Sequence, residues 1–299
     1  MLAGMLPCAC RPATPLAPRK TDAYLYADTR RLVEFVESAA ALIERRGAAA
    51  FGEFDRPGSR WRTFPTYLFV YDTSGTCLWH GSNRDLIGRN LISFRDGLGK
   101  PVVQFFTEIG RRPARDASDW VFYLFAEQNE FLPQWKGAYV RKAVTPDGRV
   151  CLVGSGSSRT KVEKVFVRDQ VDAAAELLRA HGREAAFHEL KDPSSRFHFL
   201  GTFVFVLDAR GRSLVDPAYP TLQGRDMTGF RDAVGRPIVQ ELLRRLETTD
   251  RTWLQFLWPK PGEMLHSRKL MYVRKVEVGG ETLLVGSDLY LATPIWMRS

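Results

Sequence analysis

Cysteine is scarce, with four in 299 residues. Cys8 and Cys10 form a C-x-C, which is not zinc spacing, and no second Cys or His pair completes a four-ligand site. Cys77 and Cys151 lie in apolar stretches that read as strands and are expected to be buried free thiols. No apolar run approaches the roughly 20 residues that a membrane-spanning helix needs. Blocks of like charge are also missing, so the net charge of +9 describes a diffuse basic surface suited to anionic ligands or an anionic membrane face. A basic tail for nucleic acid is not indicated. The chain has no H-E-x-x-H, no P-loop and no G-x-S-x-G, and Gly154-Ser155-Gly156 closes a strand without opening a helix as a dinucleotide fingerprint would. His80, His181, His188, His198 and His266 make no metal-ligand spacing. The expectation is a protein without catalytic residues, cofactor or metal.

What is present is a long internal repeat. Residues 66–104 and 202–240 align without a gap at an offset of 136 (202 − 66), with 16 identities in 39 positions. Trp120, Lys136, Tyr139 and Arg141 return as Trp253, Lys269, Tyr272 and Arg274, and Val153-Gly154-Ser155 returns as Val285-Gly286-Ser287. So long a period marks a duplicated domain, not a solenoid repeat. The length suits about two domains of roughly 100–200 residues, each with its own core.

One repeat reads as helix, hairpin, helix and three strands. Leu32, Phe35, Val36, Ala39, Ala40 and Ile43 keep helical spacing up to Gly47. Tyr67–Tyr71 and Thr76–His80 flank the turn Asp72-Thr73-Ser74-Gly75 as a hairpin. Lys100-Pro101 opens a second helix. Strands over Trp120–Phe125, Gly137–Val144 and Val150–Gly154 complete the sheet. The second repeat follows the same order, with a helix ending at Ala180 before Gly182, and the boundary falls near Lys164. The predicted fold is α+β: two PAS-like units, each a five-stranded antiparallel sheet with a long N-terminal helix on one face and helix and loop segments over the ligand side. A sheet covered on both faces explains strands such as Tyr67–Tyr71 that are apolar at every position, and the loop side leaves room for a small molecule.

The ordered series of motifs resembles the Cache sensor domains of the single-Cache type. In the first copy it runs through Tyr67–Asp72, Gly75, His80, Gly88-Arg89-Asn90, Asp96 with Gly99-Lys100-Pro101, Trp120 with Tyr123, Lys136 with Tyr139-Val140-Arg141, and Val153–Gly156. In the second it runs through Phe203–Asp208, Gly211, Asp216-Pro217, Gly224-Arg225-Asp226, Asp232 with Gly235-Arg236-Pro237, Trp253, Trp258-Pro259-Lys260-Pro261, Lys269 with Tyr272-Val273-Arg274, and Val285–Tyr290. The resemblance spans roughly residues 30–290. It implies bacterial signal transduction through binding of a small metabolite, often a short carboxylate, in the PAS-like cavity. The chain departs from the pattern where Gly81 follows His80, where Ser157-Ser158 replace an aromatic residue, and where Phe256 and Asp216 replace Tyr and His. These departures leave open that one copy has lost its ligand.

The resulting expectation is a domain at 29–163 and another at 164–291, with a leader remnant or linker at 1–28 and a tail at 292–299. The protein would be periplasmic or held in the cell envelope, since residues 1–18 resemble the end of a secretory leader whose start lies upstream; a cytoplasmic location is the alternative. A buried carboxylate ligand needs a cation or aimed donors, which makes Arg95, Lys136, Arg141, Arg231, Lys269 and Arg274 candidates, with pairing to surface acids as the competing role. Tyr67, Trp120, Tyr123, Tyr139, Trp253 and Tyr272 could wall the pocket or simply pack the core. His80 and Asp216 stand at a strand end, as a ligand donor or a structural residue. Asp96 and Asp232 sit in R-D-x-x-G-[KR]-P, as turn makers or ligand contacts on a segment that closes upon binding. Partners would be a small organic anion and a membrane-bound signalling protein; docking on such a protein without a ligand is the alternative function.

Overall fold

A computed structural model describes residues 20–62, 66–126, 131–259 and 266–291. Cys8, Cys10, the leader, Lys260-Pro261 and the tail lie outside the described residues. The first unit contains α1 (Ala27–Arg46), α2 (Ala49–Phe54), β1 (Leu68–Asp72), β2 (Cys77–His80), α3 (Val102–Arg111), β3 (Ser118–Phe125), β4 (Gln134–Val144) and β5 (Val150–Ser157). The second contains α4 (Lys164–Lys191), β6 (Phe205–Asp208), β7 (Ser213–Val215), α5 (Ile238–Leu246), β8 (Arg251–Pro259), β9 (His266–Val278) and β10 (Glu281–Tyr290). The sheet orders are the same, β2-β1-β5-β4-β3 and β7-β6-β10-β9-β8, and every strand pair is antiparallel. This is the PAS-like α+β fold, built twice.

Each sheet is covered on both faces, which divides its side chains strictly by strand parity. In the first unit Leu68 and Val70 pack with Val33, Val36 and Ile43 of α1, whereas Phe69 and Tyr71 pack with Val102, Phe106 and Ile109 of α3. Burying each such aliphatic side chain is worth about 1.5–3 kcal/mol. The second unit repeats the division, with Val206 on the α4 side and Leu207 on the α5 side.

Both long helices break at a glycine. Gly47 ends α1 at φ +56, its N–H on the carbonyl of Ile43, and α2 follows. Gly182 (φ +78) interrupts α4, but the helix resumes to Lys191 instead of stopping. The segment beyond the kink has its own apolar stripe, and Ala186 and Leu190 are fully buried in the core of the second unit. The Val-Gly-Ser repeat also has a packing cause. A Cβ on Gly154 would stand 2.4 Å from the Phe69 ring, and one on Gly286 would stand 2.2 Å from the Phe205 ring. The aromatic ring of the first strand thus lies flat over the last strand, where only glycine leaves room.

The two units touch. Phe122 of β3 stacks on Phe199 at 4.2 Å between ring centroids, and the buried Lys100 ammonium donates to the Ser195 carbonyl. Among the described residues no helix is long and apolar enough to cross a membrane. Cys77 and Cys151 are buried free thiols, each pushed up to about 11 by burial.

Candidate functional site

Between the first sheet and α3 lies a cavity of about 370 Å³. Its walls come from β1 (Phe69, Tyr71), the helix α3 (Val102, Val103, Phe106) and β3 (Tyr123, Phe125), and its polar rim from Tyr67, His80, Ser82 and Asn83. Lys136 approaches from β4. It is 1% exposed, donates from Nζ to the Tyr67 hydroxyl at 2.9 Å, and lies 4.5 Å from the ring centroids of both Tyr67 and Phe125. Gly156, facing it on β5, makes this possible, because a Cβ there would stand 2.9 Å from Lys136 Cε.

His80 is buried, and burial together with the Lys136 charge holds its pKa down at about 4. Its Nδ1 accepts the Asn83 backbone N–H at 3.0 Å. A neutral imidazole that accepts at Nδ1 carries its proton on Nε2, so the second nitrogen is a donor. The cavity therefore presents a phenol and a neutral imidazole N–H within apolar walls, and the Lys136 cation stands directly behind Tyr67 and Phe125, an arrangement that suits a small anion.

The remaining sequence candidates fall elsewhere. Trp120, Tyr139 and Arg141 have the opposite strand parity from Tyr123 and Lys136 and face α1. Tyr139 donates to Glu37 at 2.8 Å, Arg141 pairs with Glu37 and Glu44 at 2.9 Å, and the Trp120 indole donates to the Tyr24 hydroxyl at 3.0 Å. Trp253 and Tyr272 pack against each other at a tilt in the α4 core, and Arg274 pairs with Asp172 of α4 at 2.8 Å. None of these six lines the cavity of its unit. Arg95 and Arg231 are exposed and bond to nearby loop carbonyls.

Asp96 and Asp232 are loop clasps. Asp96 accepts the N–H groups of Leu98, Lys100 and Leu124, the last on β3. Asp232 accepts those of Val234, Arg236 and Leu257, plus the Arg236 guanidinium. Burial raises the Asp232 pKa, but these donors outweigh it and hold the group at about 2. Both carboxylates thus tie the R-D-x-x-G-[KR]-P loop to the third strand of the sheet.

The second unit has a smaller cavity of about 110 Å³ in the equivalent place. Lys269, Asp216 and Phe256 line it, together with Ser213 and Asp288. Sequence reasoning did not single out these last two. Asp288 could have been found by aligning the repeats through Val-Gly-Ser, which sets it against Gly156.

Fold and cavity together define a PAS-like α+β unit with a cavity on one face of its sheet, present twice. Residues 167–290 match the family described as Single Cache domain 2, and the first unit repeats the same sheet order, so the chain is similar to a tandem of single-Cache domains. Similar solved structures include a periplasmic sensor domain of a chemotaxis protein, at 26% identity over 42% of this chain and 88% of that one (TM-score 0.35). Another is a Cache chemosensory domain described for carboxylic acid recognition, at 24% identity over 42% and 91% (TM-score 0.36). A third is a methyl-accepting chemotaxis protein from Vibrio parahaemolyticus, at 21% identity over 42% and 87% (TM-score 0.35). No curated protein matches the chain.

Proposed function

We propose that the first unit binds a small organic anion, a short carboxylate, in the cavity between its sheet and α3, and that residues 29–163 and 164–291 act as separate domains. The observation that carries this reading is the buried Lys136 ammonium beside the Tyr67 hydroxyl and the His80 ring at an apolar cavity. A carboxylate seated there would receive charge-assisted hydrogen bonds while its alkyl chain lies against Phe106 and Tyr123. The protein would work in the cell envelope, passing the bound state to a membrane-bound signalling protein. In this role it is a receptor and not an enzyme.

Thermal denaturation of the full chain with acetate, propionate, pyruvate and lactate tests the proposal. A ligand at a hundredfold excess over its dissociation constant adds about 2.7 kcal/mol, which is a melting shift of a few degrees. The expected result is a shift with at least one of these acids that Lys136→Met abolishes. No shift with any of them, or the same shift in the variant, refutes the assignment.

A further inference from the structure

The two cavities differ where their charge is set. His80 of the first unit is Asp216 in the second, Gly156 is Asp288, Tyr67 is Phe203 and Tyr123 is Phe256. Two of these changes delete a hydroxyl, and the other two introduce a carboxylate. Asp288 lies 3.0 Å from Lys269 Nζ, both side chains buried. The lysine of the second unit already holds a carboxylate, supplied by the neighbouring strand.

With Lys269 engaged in this way, Asp216 has no ion-pair partner among the described residues. Its carboxylate accepts the Tyr219 backbone N–H at 2.9 Å. Burial raises its pKa, and the charge of Asp288 adds to the rise while Lys269 opposes it weakly. A second group in the same cavity is unsatisfied. The Ser213 hydroxyl on β7 is buried in a residue only 1% exposed and has no hydrogen-bond partner among the described residues. A buried hydroxyl without a partner is costly, and a half-buried carboxylate lacks the cation that would offset its desolvation. An entering carboxylate would meet two aspartates and one neutralised lysine. A protonated amine would instead place a cation on Asp216, donate to Ser213 Oγ and lay its short alkyl group against Phe256 and Trp258.

We infer that the cavity of the second unit is a binding site for a small protonated amine, received by Asp216 and Ser213. The tandem repeat then carries two cavities of opposite preference, one for an anion and one for a cation.

Isothermal titration of the full chain with ethylammonium chloride tests this. Wild type gives a saturable heat. Asp216→Asn weakens the affinity by about tenfold or more, the loss of a charge-assisted contact, and Ser213→Ala weakens it by about threefold or more. The serine variant keeps the test decisive should Asp216→Asn fail to fold. A separate titration with sodium acetate reads the first cavity, so failure of the amine site is distinguishable from failure of the anion site. Absence of a saturable ethylammonium heat in wild type, or unchanged affinity in the folded variants, overturns the inference.

Discussion

The Lys136 ammonium donates to the Tyr67 hydroxyl at 2.9 Å across the edge of the first cavity. The pair joins β4 to the residue that leads into β1, so the cation is positioned by packing and not by loop conformation. Lys136→Met keeps most of the volume and removes the charge. We expect carboxylate affinity to fall by about tenfold or more, in line with truncation of one partner of a buried charge pair. Tyr67→Phe should cost about 0.5–1.5 kcal/mol of binding. Titration calorimetry of both variants checks the order, and a larger loss for Tyr67→Phe would count against lysine as the principal contact.

Arg141 gives the contrasting case. Its side chain is 9% exposed and paired with Glu37 and Glu44, which are about one-third exposed or less. Removing one partner of a buried pair costs about 3–5 kcal/mol, and partial solvation of the carboxylates reduces this to about 2–4 kcal/mol. Arg141→Ala should therefore lower stability to urea by that amount and leave ligand affinity unchanged. A variant of normal stability that has lost the ligand would place Arg141 in the site after all.

Gly154→Ala should be among the most damaging small substitutions in the chain. The new methyl group would stand 2.4 Å from the Phe69 ring, and overpacking of this kind costs about 1–3 kcal/mol or more. Phe69→Leu in the same background should recover part of the loss, read as a coupling energy in a double-mutant cycle. Purely additive effects would mean that the ring is not the obstacle.

His80 makes stability depend on pH with a definite sign. Its folded pKa of about 4 lies below the ordinary value of 6.5, through burial first and the Lys136 charge second. Between those values the unfolded chain takes up a proton that the folded chain refuses. Stability from this group is therefore full above pH 6.5 and declines as pH falls towards 4, by at most about 3 kcal/mol. Urea titrations between pH 7 and 4.5 should show a shallower decline for His80→Gln than for wild type. Equal slopes would show that the imidazole is not held neutral.

Much of the fold is legible in the sequence because it is written twice. The gapless match of 66–104 to 202–240 sets the hairpin, the loop and the second helix of both units in one alignment. The aromatic strand Leu68–Tyr71 identifies a sheet covered on both sides. Less legible was the continuation of α4 past Gly182, since a glycine with φ > 0 reads as a terminus unless the next apolar stripe finds the same core. The candidate site was legible in part. Tyr67, His80 and Tyr123 line one cavity and Lys136 touches it through Tyr67, but Tyr139 and Arg141 stand three and five residues from Lys136 on one strand. Odd spacing sends them to the opposite face, a constraint that the motif pattern conceals.

The sequence by itself determined the duplication and the order of strands within each unit, because these follow from local spacing and from a repeat that needs no partner to be seen. Tertiary structure decided which residues share a cavity and what charge that cavity carries. Lys136 and Lys269 occupy the same place in the repeat, yet one meets Gly156 and the other Asp288 across a strand pair. In a buried, low-dielectric site a carboxylate 3.0 Å from a lysine weighs heavily on the field of the pocket, and only the fold brings those two positions together.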